Sequence, residues 1–112
     1  MADLEGLIKS YLPMTEASFL VLACVGKENH GYGIMQEAAR LTDGRVSLGA
    51  GTVYTLLYRM ENDGLIESVR EEDRRKIYGI TSAGAAVLES EGNRLANAAK
   101  VAADAIGQLQ RV

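Results

Sequence analysis

Gly49-Ala50-Gly51-Thr52-Val53-Tyr54-Thr55-Leu56-Leu57-Tyr58-Arg59-Met60-Glu61-Asn62-Asp63-Gly64-Leu65-Ile66 reads GAGTVYTLLYRMENDGLI. It opens like a glycine-rich phosphate loop and continues as an amphipathic helix. A phosphate loop of the Walker type needs Gly-x-x-x-x-Gly-Lys-Ser/Thr after a strand, because the lysine meets the outer phosphates. No lysine stands there, and no strand of adequate length precedes it. A dinucleotide fingerprint fails as well, since no strand–helix–strand unit follows. The helix remains. Val53, Leu56, Leu57 and Met60 recur at i, i+3, i+4 and i+7 and form one apolar stripe. At about 100° per residue, Thr55, Tyr58 and Asn62 fall opposite it, with Thr52, Tyr54 and Arg59 on its flanks. Gly64 stands where helices commonly end in a left-handed residue, and Leu65 can cover the last turn. Such a helix offers one face to a core and another to a partner. Gly49 and Gly51 let a phosphate approach the free amides at its start.

Upstream, Leu4, Leu7, Ile8, Tyr11 and Leu12 share one helical face in a short arm that Pro13 ends. Thr15 caps the next helix, with Glu16 favourably placed in its first turn. Its run ASFLVLACV is apolar almost all round, and the start signal with the Gly26-Lys27-Glu28-Asn29 break reads it as a buried helix rather than a strand. His30-Gly31-Tyr32-Gly33 opens a helix whose inner face is Ile34, Met35, Ala38 and Leu41, with Tyr32 in the core at its start. Arg45 to Leu48 form an extended link into the quoted stretch. Downstream, Ile66–Glu71 and Lys76–Ile80 read as strands joined by the charged turn Glu72-Asp73-Arg74-Arg75. Thr81 caps a final helix from Ser82 to about Arg111, on the order of 45 Å long at ~1.5 Å per residue.

The expected fold is mostly α with a small β-hairpin: a winged helix-turn-helix plus a long C-terminal dimerisation helix. Residues 1–80 would form the DNA-binding domain with its N-terminal helical arm, and residues 81–112 the dimerisation helix. The quoted helix is the recognition helix of this scheme.

At 112 residues, 47% hydrophobic and 24% charged, the chain has the composition of one ordinary globular domain. No run reaches the roughly 18 apolar residues of a membrane span, and no basic-then-apolar leader opens the chain, so a cytoplasmic location is expected. Cys24, the single cysteine, lies in an apolar run and reads as core. A net charge of −3 does not favour nucleic acid in itself, but Arg70, Arg74, Arg75 and Lys76 cluster locally.

Several motifs together resemble the PadR family of transcriptional regulators, in its branch with a short C-terminal helix. Val46-Ser47-Leu48-Gly49-Ala50-Gly51-Thr52-Val53-Tyr54, then Arg59-Met60-Glu61 and Gly64-Leu65-Ile66, look like its recognition-helix signature. His30-Gly31-Tyr32-Gly33 matches the opening of its preceding helix. Arg74-Arg75-Lys76-x-Tyr78 and Ile80-Thr81-x-Ala83-Gly84 match its wing and the start of its last helix, and Glu91-x-x-Arg94-Leu95 resembles that helix. The resemblance runs from about Thr15 to Leu95. It implies a dimeric, ligand-responsive repressor whose arm and last helix form the dimer interface. The chain departs from the pattern in three places. Ala50 replaces the usual proline, Glu71-Glu72-Asp73 sets three acids beside the wing arginines, and there is no tryptophan of the kind that lines a drug site in some short-tailed members.

The candidate DNA-contacting residues are Gly51, Thr52, Tyr54, Thr55, Tyr58, Arg59, Arg74, Arg75 and Lys76. Thr52, Thr55, Tyr58 and Arg59 are expected at bases in the major groove of a double-stranded, pseudo-palindromic operator. Gly51, Tyr54 and the wing cations are expected at phosphates. Against this, Tyr54 and Tyr58 could edge the core, Arg59 could pair with Asp63, and the wing cations could be a solvated turn. His30 has no second ligand candidate, so a metal site is not expected, and it reads as a helix-start or phosphate-proximal group. No cofactor motif, carboxylate pair or nucleophile–base pair marks an enzyme.

The last helix carries a strict seven-residue row of Leu88, Leu95, Ala102 and Leu109. Ala99 and Ile106 lie four residues after members of it, and Ala98, Ala105 and Val112 three after. With Leu4, Ile8 and Leu12 of the arm, this seam is the expected homodimer interface. A small apolar or aromatic effector is expected beside it, near Tyr11, Ala99 and Ala102. The alternative from another class is a winged-helix protein-interaction module without DNA binding, with the long helix as its docking element. The net acidity supports it.

Overall fold

The computed structural model describes residues 3–110. The expected end of the last helix at Arg111, and Val112 of the seam, lie outside these residues. The chain order is α1 (Leu4–Tyr11), α2 (Glu16–Cys24), α3 (Gly31–Leu41), α4 (Ala50–Asn62), β1 (Ile66–Glu72), β2 (Arg75–Ile80) and α5 (Ser82–Leu109).

Side-chain caps start four of the five helices. Asp3, Thr15, His30 and Thr81 accept hydrogen bonds from the backbone N–H groups of Gly6, Ser18, Gly33 and Gly84. The end of α4 is a Schellman turn: Leu65 N–H donates to the Met60 carbonyl, Gly64 N–H donates to that of Glu61, and Gly64 has φ +78°. Thr81 fastens α5 to this turn, because its hydroxyl donates to the Gly64 carbonyl at 2.6 Å while accepting from Gly84 N–H at 3.1 Å. A Cβ on Gly84 would stand 2.0 Å from the Leu65 carbonyl oxygen, so only glycine lets α5 start this close.

The core lies where α2, α3, α4 and the hairpin meet. Val21, Leu22, Val25, Ile34, Val53, Leu57, Met60, Leu65 and Val87 are fully enclosed. Helix α2 is the central element and is apolar on every side because every side has a neighbour. Cys24 is buried there, and burial pushes its thiol pKa up.

Three details depart from the expectations. Tyr32 is 51% exposed rather than core, because its ring lies outside α3 beneath the Arg75 guanidinium. Leu41 is exposed at the end of α3, leaving Ile34, Met35 and Ala38 as the inner face. The hairpin turn contains only Asp73 and Arg74, with φ +50° and +65°, so each strand gains a residue. Positive φ at both central residues gives the turn a twist that matches paired strands.

From Gly92 to Gln110, every residue of the last helix and its cap except Gly107 is exposed. The first turns of α5 pack on α2 and β2; the remainder leaves the body.

Candidate nucleic-acid interface

Helix α4 presents the two faces that its periodicity predicts. Val53, Leu57 and Met60 are buried and Leu56 packs against the core, while Thr52, Tyr54, Thr55, Tyr58, Arg59 and Asn62 are exposed. Tyr58 is 70% exposed, too open to be a core edge. The α4 N-terminus has no side-chain cap, and its first hydrogen bond within the helix runs from Val53 N–H to the Gly49 carbonyl. The amides of Ala50, Gly51 and Thr52 are thus free to meet an anion. A Cβ built on Gly49 or Gly51 would meet nothing within 4 Å beyond its chain neighbours and its own helix backbone. Internal packing does not require glycine there; an approaching backbone would.

The start of α3 is held to the wing by an isolated bridge. Asn29 N–H donates to the Tyr78 carbonyl at 3.0 Å, and Tyr78 N–H donates back at 2.8 Å. Asn29 Oδ1 accepts from His30 N–H at 2.9 Å, and His30 Nδ1 accepts from Gly33 N–H at 3.0 Å. A Cβ on Gly31 would stand 2.6 Å from the Tyr54 ring, and one on Gly33 would stand 2.1 Å from Asn29 Oδ1. A side chain at either glycine of the His-Gly-Tyr-Gly opening would thus displace a neighbour, the Tyr54 ring in one case and the Asn29 side chain in the other.

These contacts create a recess of about 280 Å³ lined by His30, Tyr54, Arg74, Arg75, Lys76 and Tyr78. Because Nδ1 of His30 accepts, the neutral ring carries its proton on Nε2. Arg75 Nη1 lies 3.5 Å from that nitrogen. Two donors cannot satisfy each other, and an oxygen anion placed between them would serve both. Burial first, then nearby Glu61 and Tyr54, raise the Tyr78 phenol pKa, which keeps it a neutral donor.

The wing cations differ in availability. Arg74 enters no ion pair among the described residues, and Lys76 reaches Glu61 only at 3.9 Å. Arg70 is removed from the basic cluster: it pairs with Glu28 and, at 2.7 Å, with Glu72. That pairing also neutralises one of the three acids beside the turn. Arg59 lies 3.9 Å from Asp63, the pair its spacing suggests, and its guanidinium stacks on Tyr11. Pattern reading did not reveal Tyr11 or Asn29 here, because both act across contacts far apart in sequence.

The seam on α5 is divided. Leu88, Ile8 and Leu12 are partly buried against the chain's own core. Leu95, Ala99, Ala102, Ile106 and Leu109, with Leu4 of the arm, remain exposed. At the effector position expected near Tyr11, Ala99 and Ala102, Tyr11 is in the core and both alanines are exposed in the single chain. An apolar recess of about 520 Å³ opens instead beside Met14, Phe19, Leu20, Leu41, Glu91 and Leu95. Glu91, which the sequence marks only through its motif, is 1% exposed. It accepts from Met14 N–H at 3.1 Å and from Arg94 Nε and Nη2 at 2.5 and 2.9 Å. The Arg94 bonds hold its carboxyl pKa below the usual range.

Among the described residues there is no group of metal-ligating side chains and no helix long and apolar enough to cross a membrane. Residues 21–90 match the model of the transcriptional regulator PadR-like family. A PadR family transcription regulator from Clostridium difficile R20291 is 27% identical with a TM-score of 0.66, over 82% of this chain and 99% of that one. A PadR family transcriptional regulator from Eggerthella lenta is also 27% identical, with a TM-score of 0.62 over 92% and 84% of the two chains. A transcriptional regulator from Clostridium thermocellum shares the fold at 23% identity, with a TM-score of 0.69 over 88% and 92%.

Proposed function

The chain belongs to the PadR-like family of transcriptional regulators, and from that membership and the interface above we propose that it is a dimeric, cytoplasmic repressor that binds duplex DNA and is released by a small effector. The observation that carries the reading is the convergence of the α3 start, Tyr54 and the wing cations on one recess, where His30 Nε2–H and Arg75 both lack an acceptor among the described residues. A backbone phosphate supplies that acceptor, and a second phosphate suits the open amides at Gly51 and Thr52. With the backbone held at both places, Thr55, Tyr58 and Arg59 face base edges in the major groove. The exposed half of α5 supplies the two-fold partner contact through Leu95, Ala99, Ala102, Ile106 and Leu109, and the apolar recess beside Phe19 and Leu95 accepts an apolar or aromatic effector.

Titration of random duplex DNA at several salt concentrations tests the reading. Affinity should fall linearly in log salt with a slope of about 0.9 per phosphate neutralised. A protein-interaction module, which the net charge of −3 favours, would show no duplex affinity at low salt.

A further inference from the structure

The C-terminal end of α4 carries a contact that the phosphate recess does not involve. Tyr11 of α1 is buried, and its hydroxyl donates to Asp63 Oδ2 at 2.6 Å. The Arg59 guanidinium lies over the same ring, 4.6 Å from its centroid, with Nε 3.9 Å from that Asp63 oxygen. One tyrosine thus engages both members of a potential ion pair. Burial, then the Asp63 bond, raise the phenol pKa far above its ordinary value, so it remains a donor.

We propose that Tyr11 is a positioning residue for DNA binding, engaging Asp63 with its hydroxyl and Arg59 with its ring so that the guanidinium edge stays open to the duplex. This rests on the DNA-binding reading above. An arginine and a carboxylate four residues apart close into a short, often two-pronged pair when nothing competes. Here the hydroxyl competes for the carboxylate, and the aromatic face holds the cation 4.6 Å from the ring centroid. The Arg59 side chain accordingly remains 54% exposed. Because α1 packs on α5, a displacement of the arm would reach the recognition helix through this ring.

Tyr11→Phe keeps the ring and removes only the hydroxyl. Duplex affinity should fall roughly 3- to 10-fold, the equivalent of one hydrogen-bonded contact. Adding Asp63→Asn should restore it, because the competing carboxylate is gone. In an Arg59→Ala background, Tyr11→Phe should change nothing further. In the free protein, the ¹⁵N-labelled Arg59 Nε–H resonance should move in Tyr11→Phe and return in the double variant, with circular dichroism confirming the fold of each. Should Tyr11→Phe not fold, Asp63→Asn alone, at a partly exposed position, should leave that resonance and duplex affinity close to wild type, because Tyr11 already holds the carboxylate away from Arg59, and a large change in either overturns the proposal. An Arg59 resonance unmoved by Tyr11→Phe, or an undiminished effect of Tyr11→Phe without Arg59, overturns it as well. A wild-type protein that binds no duplex overturns instead the reading on which it rests, and the resonance separates the two failures.

Discussion

Tyr58 and Arg75 differ in what they can contribute to affinity. Tyr58 stands on the outer face of α4 with a hydroxyl and an open ring, whereas Arg75 lies beside His30 at a recess suited to a phosphate. Tyr58→Ala should cost about 1–3 kcal/mol at the specific operator and relax its sequence preference. Arg75→Ala should weaken all duplexes alike and flatten the salt slope by about 1. A gel-shift series on specific and scrambled duplexes checks both. Glu91 permits a prediction without DNA. Its carboxyl titrates below its unfolded value of about 4.3, so its contribution is present above that pH and is lost as pH falls through the lower folded value. Glu91→Gln should reduce stability at neutral pH by about 1–3 kcal/mol, chiefly through the charged hydrogen bonds. The melting-temperature gap from wild type should narrow in acid, which calorimetry between neutral pH and pH ~3 measures.

At the scale of elements, the wing turn carries a conflict between stability and binding. A two-residue turn with positive φ at both positions favours Asn-Gly, and this chain places Asp73 and Arg74 there. A left-handed conformation costs a residue with a side chain roughly 1–2 kcal/mol. Arg74 also carries a wing charge that, like that of Arg75, forms no ion pair among the described residues. Arg74→Gly should therefore stabilise the protein by about 1 kcal/mol while weakening duplex binding, and chemical denaturation beside a DNA titration separates the effects. The hairpin was legible as two short runs joined by a charged turn, whereas the tightness of its turn was not. Glu72 and Arg75 read as turn residues by charge, and their pairing as Glu72 with Arg75 across the ladder depends on register.

For the whole molecule, the exposed half of α5 determines the expected assembly. Leu95, Ile106 and Leu109 are unpartnered in the single chain, and one recognition helix provides too few base contacts for specific affinity. A two-fold pair suits half-sites ~34 Å apart or a multiple of it. Leu95 is part of the free seam, so Leu95→Asp should place an uncompensated charge there, at a cost of several kcal/mol in a dry interface. Sedimentation should show a monomer, circular dichroism a retained fold, and DNA titration a loss of operator binding. A folded monomer with wild-type affinity would refute assembly as a requirement for binding.

Period and punctuation were sufficient for the element order, the caps at Thr15 and Thr81, the left-handed Gly64 and the two faces of α4. Each depends on neighbours within a few residues, where spacing and local hydrogen bonding decide the outcome. Contacts between distant segments decided the rest. Tyr32 has the composition of a core residue but lies outside α3, where Arg75 covers it; Tyr11 lies in the arm yet reaches Asp63, 52 residues away. Arg70 looks like a wing cation and is bound by Glu28, while Leu88 continues a heptad row and packs on its own domain. Helical and strand periods specify which side of an element a residue occupies. Only tertiary packing specifies what stands opposite it, and hence which charges remain free for a ligand.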